Sequence, residues 1–448
     1  MHSRDAYVDQ LHAENEMLRR ENERLRLATT ASSSVASTAE ELSKFAGAQS
    51  VYTTEPKFWY PHVESPPPKM PCFRLMDDLG TVVPGAEAHV PTLSREAALA
   101  MMVSMVRVQE FDKIYLDAQR QGRISFYMTS RGEEAASVGS AAALQPNDWV
   151  LPQYRELGVF FWRGLTYDDV ANQLCSNALD PAHGRQLPLH IGSPRHSILY
   201  VKSTLGTQCP HAAGVAYGMK QQREGRVAIC YVGDGTTSEG DFPSALNIAA
   251  VHGCPTLFFV RNNGYAISTA TSDQYAGDGI AHRGPAYGLP TLRVDGNDIL
   301  AVVAATLAAR RIMLTEGRPV LLEAMTYRVG AHSTSDDDSK YRNPVAPEPG
   351  WDSERAYWEA RSPIIRFGRY LHARGWWNPQ MEDDLRRASR KHAVASLNAA
   401  AAAPKPTMPK LFSDVYDALP WSLQEQQAEL VQHMARYPEH YAEWHNRG

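Results

Sequence analysis

RVAICYVGDGTTSEGDFPSALNIAAVHGCPTLFFVRNNGYAIS, residues 226–268, contains two apolar runs that each stop at a polar turn. Near-continuous runs such as ICYV and TLFFV are the pattern of strands buried on both faces of a parallel sheet. Between them, FPSALNIAAVHG has the composition of a covering helix. The stretch is therefore a strand–helix–strand unit, and the same alternation continues outward. TLRV, DILAVVAATLAARRIML and PVLLEAMTY carry it to about residue 330. Such a series predicts an α/β fold, a mainly parallel sheet flanked by helices. Upstream, Ala97, Met101, Met105 and Val108 share one face of a helix running from Ser94 to about Gln121, with Ser94 as N-cap and Glu96 in the first turn.

The unusual feature of the opening stretch is Asp234, set between Gly233 and Gly235 where the first strand ends. The second strand ends in Asn262, Asn263 and Gly264. In open α/β sheets, ligands bind beyond the carboxyl ends of the strands. Hard cations such as Mg2+ take oxygen ligands, commonly one or two carboxylates together with substrate phosphates. One carboxylate, one amide oxygen and a nearby backbone carbonyl make a half-shell open toward a diphosphate. The glycines allow close backbone approach, and the following helix offers N–H groups to the same anion. The plainer alternative is two ordinary turns after two strands.

Composition bounds the rest. The 448 residues are 43% hydrophobic and 21% charged, an ordinary globular balance, with 45 basic against 50 acidic residues and a net charge of −5. This charge gives no electrostatic case for nucleic acid or an anionic membrane. No apolar run reaches the ~18 residues of a membrane span. Cys72, Cys175, Cys209, Cys230 and Cys254 are scattered without CxxC spacing, which argues for free thiols.

Residues 1–50 form an N-terminal extension with two readings. Val8, Leu11, Asn15, Leu18, Asn22 and Leu25 follow the spacing of a short coiled coil, with Glu14 and Glu21 each five residues before Arg19 and Arg26. Started at Met17 instead, the segment is rich in arginine and serine and poor in acid, as organellar presequences are. Residues 51–92 are expected to be an extended arm, 93–345 the α/β domain, and 346–448 a helical C-terminal region broken near AAAAAPKPTMPK.

GDG followed by NN, each after an apolar strand, resembles the diphosphate-binding motif of thiamine-diphosphate enzymes. From about Phe73 to the C-terminus the resemblance becomes narrower. GRISFYMTSRGEEAASVGSAAAL, QYRELGV, RNNGYAISTATSDQY, GDGIAHRGPAYG, RVDGNDILAV, EAMTYRVGAHSTSDDDSKYR and LFSDVY are similar, in order, to the alpha subunit of the branched-chain 2-oxoacid dehydrogenase decarboxylating component. The resemblance implies the thiamine-diphosphate-binding fold, with this chain as its diphosphate-type module. It implies Asp234, Asn263 and the Tyr265 carbonyl as Mg2+ ligands. Gln153, Tyr154, Arg155, Gly233, Gly235, Arg261 and His332 would surround the diphosphate, with Ser203 and Leu205 at the aminopyrimidine. His332 and Arg328 are the implied catalytic residues. Arginine forks suit phosphate oxygens, although Arg155 alone would pass for a surface charge and His332 for an exposed loop residue.

The resemblance also implies a potassium site at Lys202, Thr204, Thr207 and Gln208, where Lys202 and Thr204 depart from the family pattern. Ser333 falls at a regulatory phosphorylation position. Asn343 replaces the second regulatory serine, and Ala331 stands where a second histidine is expected.

Thiamine-diphosphate chemistry needs a carboxylic acid against the aminopyrimidine, and the chain has no room for a second α/β domain to carry one. The acid is therefore expected from a beta subunit, in an assembly that the resemblance makes two alpha and two beta chains. A lipoyl-bearing transacylase would accept the acyl group, a kinase and phosphatase would act on Ser333, and the mitochondrial matrix is the implied location. Alternatives are the alpha subunit of a pyruvate or acetoin dehydrogenase, or a non-catalytic scaffold.

Overall fold

A computed structural model describes residues 69–442 except positions 224 and 414. The coiled-coil and presequence readings fall outside the described residues. From Lys69 onward the chain is one compact unit.

Its centre is a six-stranded sheet. The strands are β1 (Cys72–Phe73), β2 (Trp149–Leu151), β3 (Ala228–Gly233), β4 (Thr256–Asn262), β5 (Thr291–Asp295) and β6 (Val320–Met325), in the order β1-β5-β6-β4-β3-β2. Every pairing is parallel. β3 and β4 are interior strands buried along their whole length, which is why they carry unbroken apolar runs. Their side chains alternate between two cores. Ile229, Tyr231, Leu257 and Phe259 face one, and Cys230, Val232, Phe258 and Val260 the other.

The first core is covered by α1 (Arg95–Arg120) and α2 (Glu134–Ala142), the second by α3 (Gln208–Gln221) and α4 (Asp241–His252). α5 (Ile299–Glu316) completes the first layer, joined by α6 (Pro363–Ala373) and α7 (Pro379–Ala402) from beyond residue 345. α7 lies along α1, where the Tyr115 and Ser396 hydroxyls hydrogen-bond at 3.1 Å. Among the described residues no helix is long and apolar enough to cross a membrane.

The predicted start of α1 is present: Ser94 Oγ accepts the Ala97 N–H at 3.1 Å. Two strands were not legible. β1, inside the expected arm, and β2 are two and three residues long, too short to show a period. β1 is located from outside itself. Asp298, which caps α5 through the N–H groups of Leu300 and Ala301, accepts the Leu75 and Met76 N–H groups with its other oxygen at 2.7 and 2.6 Å.

Candidate active site

The carboxyl ends of β2, β3, β4 and β6 open into one cavity of about 290 Å3. Gln153, Tyr154, Arg155, Ser203, Leu205, Gly233, Asp234, Gly235, Arg261, Asn263, Tyr265, Arg328 and His332 all line it. Residues from five separate stretches of sequence thus meet where the sheet ends. Lys202, Thr204, Thr207 and Gln208 do not line it.

β3 delivers Asp234. Its carboxylate is 1% exposed, and Oδ2 has no hydrogen-bond partner. Burial, reinforced by the nearby Glu133, pushes its pKa up to about 6. A buried acid with an unpartnered oxygen facing a cavity is costly unless a cation or donor joins it. Asn263 and Tyr265 line the same cavity, so the donors it can offer are a carboxylate, an amide oxygen and a backbone carbonyl. That set suits a hard divalent cation. The Tyr265 carbonyl also accepts a hydrogen bond from Arg328 Nη1 at 2.9 Å, which leaves it a second lone pair.

The expected helix N-terminus at this anion site is not there. Asp234 precedes a four-residue 3-10 turn, Gly235–Ser238, and α4 begins only at Asp241. The Thr237 N–H and hydroxyl both bond the Asp234 carbonyl, at 3.1 and 2.7 Å, so the chain tightens before it can enter an α-helix.

β2 delivers Gln153, whose Oε1 accepts the Gly233 N–H at 2.6 Å and the Thr236 hydroxyl at 3.2 Å. Gln153 therefore fixes the GDG turn. Tyr154 and His332 are joined, phenol oxygen to Nε2, at 3.2 Å. Arg155 donates to the carbonyls of Thr129 at 2.6 Å and His332 at 2.9 Å. Burial, with Arg155 and then Arg328 adding positive charge, lowers the His332 imidazole to about 3, so it is neutral at physiological pH. Ser203 is paired with His190 Nε2 at 2.8 Å, and Leu205 presents a half-buried apolar side chain.

Two acids support the site from behind and were not legible as site residues. Glu156 accepts from Arg261 Nε at 2.6 Å. Glu133 accepts from Arg261 Nη1, and from Asn263 Nδ2 at 3.0 Å. Both lie next to residues singled out in sequence, in RGEE and YREL, which is the signal they left. Thr236, Ala266 and Ile267 complete the lining.

The chain leaving β6 is pinned repeatedly. The Thr326 hydroxyl bonds the Gly132 carbonyl and Asn297 Oδ1, both at 2.9 Å. Arg328 is a strut whose donors reach Tyr265, Ile267, Gly330 and Tyr341. The His332 N–H donates to Asp336 Oδ2 at 2.7 Å, and Ser333 Oγ accepts the Ser335 N–H at 3.2 Å. Arg342 donates to the carbonyls of Arg328 and Gly330, both at 2.6 Å, and pairs with Asp338.

Away from the cavity, Thr207 Oγ1 donates to the Thr204 carbonyl at 2.8 Å. Gln208 Nε2 donates to the Tyr231 carbonyl at 3.2 Å, and its Oε1 is buried without a partner. Lys202 and Thr204 are exposed.

Residues 100–409 match the family described as "Dehydrogenase E1 component". The chain is 48% identical over 375 residues to the mitochondrial 2-oxoisovalerate dehydrogenase subunit alpha of Caenorhabditis elegans, covering 84% of this chain and 85% of that one. It is 46% identical to subunit alpha 1 of the Arabidopsis thaliana enzyme, over 90% and 83% of the two chains. The Homo sapiens subunit alpha is 44% identical over 90% and 88%. With a family match over most of its length and relatives this similar, the chain belongs to the dehydrogenase E1 component family.

Proposed function

We propose that this chain is the alpha subunit of a mitochondrial, thiamine-diphosphate-dependent dehydrogenase that decarboxylates branched-chain 2-oxoacids and passes the acyl group to a lipoyl-bearing transacylase. The carrying observation is the buried, unpartnered oxygen of Asp234 in a cavity shared with Asn263, Tyr154, Arg155 and His332. Asp234, Asn263 and the Tyr265 carbonyl would hold Mg2+. Tyr154, Arg155 and His332 would meet the diphosphate, together with the Nη2 of Arg261, which is buried without a partner. Leu205 and Ser203 would contact the aminopyrimidine. Bound there, the cofactor supplies a nucleophilic ring carbon and an electron sink for decarboxylation.

Asp234 is the one carboxylate among the described residues lining the cavity. A group that holds a metal cannot also activate the aminopyrimidine. That acid is assigned to a beta subunit, in an assembly of two alpha and two beta chains. The orphaned Gln208 Oε1 supports a potassium site beside Thr207, with Lys202 and Thr204 as the departures from it. Phosphorylation of Ser333 by a kinase, reversed by a phosphatase, would regulate the enzyme.

The test is co-expression with the cognate beta chain and decarboxylation assays on 2-oxoisovalerate and pyruvate in parallel. The assembled protein is expected to prefer 2-oxoisovalerate, and the alpha chain alone to be inactive. Preference for pyruvate would reassign the substrate. An assembled complex that binds no thiamine diphosphate would leave the scaffold reading.

A further inference from the structure

We propose that Glu133 is a positioning residue that decides which end of the Asn263 side chain faces the metal. The inference rests on the metal assignment made above.

A carboxamide is almost symmetrical in shape, with an acceptor oxygen at one end and a donor NH2 at the other. Only its hydrogen bonds distinguish the two. For a cation the difference is complete: the oxygen is a ligand and the NH2 repels. Asn263 sits where this choice matters, on the cavity wall beside Asp234.

Glu133 makes the choice. Its side chain is buried, and Oε1 accepts the Asn263 Nδ2–H at 3.0 Å. Oε2 accepts from Arg261 Nη1, and Arg155 Nε lies 3.8 Å from Oε1. Oε1 takes up a hydrogen bond from Asn263 and Oε2 one from Arg261, and a carboxylate in such an ion pair can only accept. Glu133 therefore takes the NH2 end. Oδ1 is left on the side of the short hairpin that pairs Tyr265–Ala266 with Thr269–Ala270, where it accepts the Tyr265 N–H at 3.3 Å.

The position of Glu133 is itself constrained. It follows Gly132, at φ 97°, where a Cβ would stand 2.1 Å from the Tyr327 carbonyl oxygen. Only glycine fits that turn. Arg261 is anchored on Glu156 at its other edge, so it cannot swing away with the carboxylate. The preceding amide gives an internal comparison. Asn262 Nδ2 is also held by a buried acid, Glu323 Oε1 at 2.8 Å, but Asn262 does not line the cavity. Both amides of the NN pair are thus oriented by carboxylates, and Glu133 serves the one at the site.

The experiment uses alpha chain assembled with its beta chain and Mn2+ as the probe, followed by the electron paramagnetic resonance of free ion in the presence of thiamine diphosphate. Glu133→Gln is expected to weaken Mn2+ binding roughly 10–100-fold, the usual effect of removing an outer-sphere partner. The double variant Glu133→Gln/Asn263→Asp exchanges amide and carboxylate. The new carboxylate needs no orienting, so Mn2+ binding should recover to within a few-fold of wild type. A group that merely stiffens the fold would not be rescued in this way, and thermal melting of each variant reports folding separately. Unchanged binding in Glu133→Gln, or a folded double variant that stays as weak as the single one, would overturn the proposal. So would failure of both variants to fold, which would make Glu133 a fold-holding residue. Asp234→Asn is the control for the underlying assignment. If it binds Mn2+ normally, the metal site itself is misplaced; if it loses binding while Glu133→Gln keeps it, only the role of Glu133 falls.

Discussion

Gly235 and Ala266 are in such close opposition that a Cβ on Gly235 would stand 2.8 Å from the Cβ of Ala266. The first belongs to the GDG turn and the second to the hairpin carrying Tyr265. Gly235→Ala should therefore push the hairpin off the turn. The expected cost is about 1–3 kcal/mol, typical of overpacking a buried contact, with weakened metal binding alongside. Urea melts and Mn2+ titration of the assembled protein check both.

Asp234→Asn is expected to move stability and binding in opposite directions. The carboxylate is buried with one oxygen unpartnered, so removing its charge should stabilise the metal-free protein by on the order of 1–3 kcal/mol near neutral pH. Mg2+ and thiamine diphosphate binding should fall sharply in calorimetric titration. A variant that loses stability and keeps its metal would contradict the assignment.

His332 makes stability depend on acidity. Its ring titrates near 6.5 when unfolded and near 3 in place, held down by burial and then by Arg155 and Arg328. As pH falls from 6.5 toward 3, the unfolded chain gains a proton that the folded chain refuses. The contribution is fully present above pH 6.5 and is lost through that window. His332→Gln should lose less stability than wild type on acidification over this range, measured as melting temperature against pH.

Phosphorylation of Ser333 is expected to abolish activity. The hydroxyl accepts the Ser335 N–H, and its neighbours include Asp336, Asp337 and Asp338. A phosphoryl group brings roughly −1.5 to −2 charges, facing those acids on one side and the diphosphate on the other. Ser333→Glu should lower activity and Ser333→Ala should escape kinase control. Full overall activity in complex labelled at Ser333 would sink the mechanism.

The strands and helices legible in the sequence were those with a period to show. β3, β4 and β6 carry apolar runs because they are covered on both faces, and α1 announces itself through Ser94 and its Met101–Met105 face. β1 and β2 are located by partners far away in sequence, such as Asp298, and carry no local signature. The same division runs through the site. Asp234 and Asn263 stand out because GDG and NN close two successive apolar strands. Glu133 and Glu156 look like surface acids beside arginines. Their burial comes from Arg261, which crosses behind the cavity to meet both. No local pattern reports a contact made across 128 or 105 residues.

The pinned ribbon after β6 has a consequence for how this protein can vary. Between Thr326 and Asp336 the ties that leave the stretch run to Gly132 and Asn297, then Tyr265, Ile267, Arg155, and finally Tyr127 through Thr334. Exchanging one side chain here removes only the ties which that residue makes. Inserting or deleting one residue shifts every later tie out of register at once, and carries His332 and Ser333 with it. This stretch behaves as a ruler between the sheet and the cavity, one whose markings can be altered singly but whose length cannot.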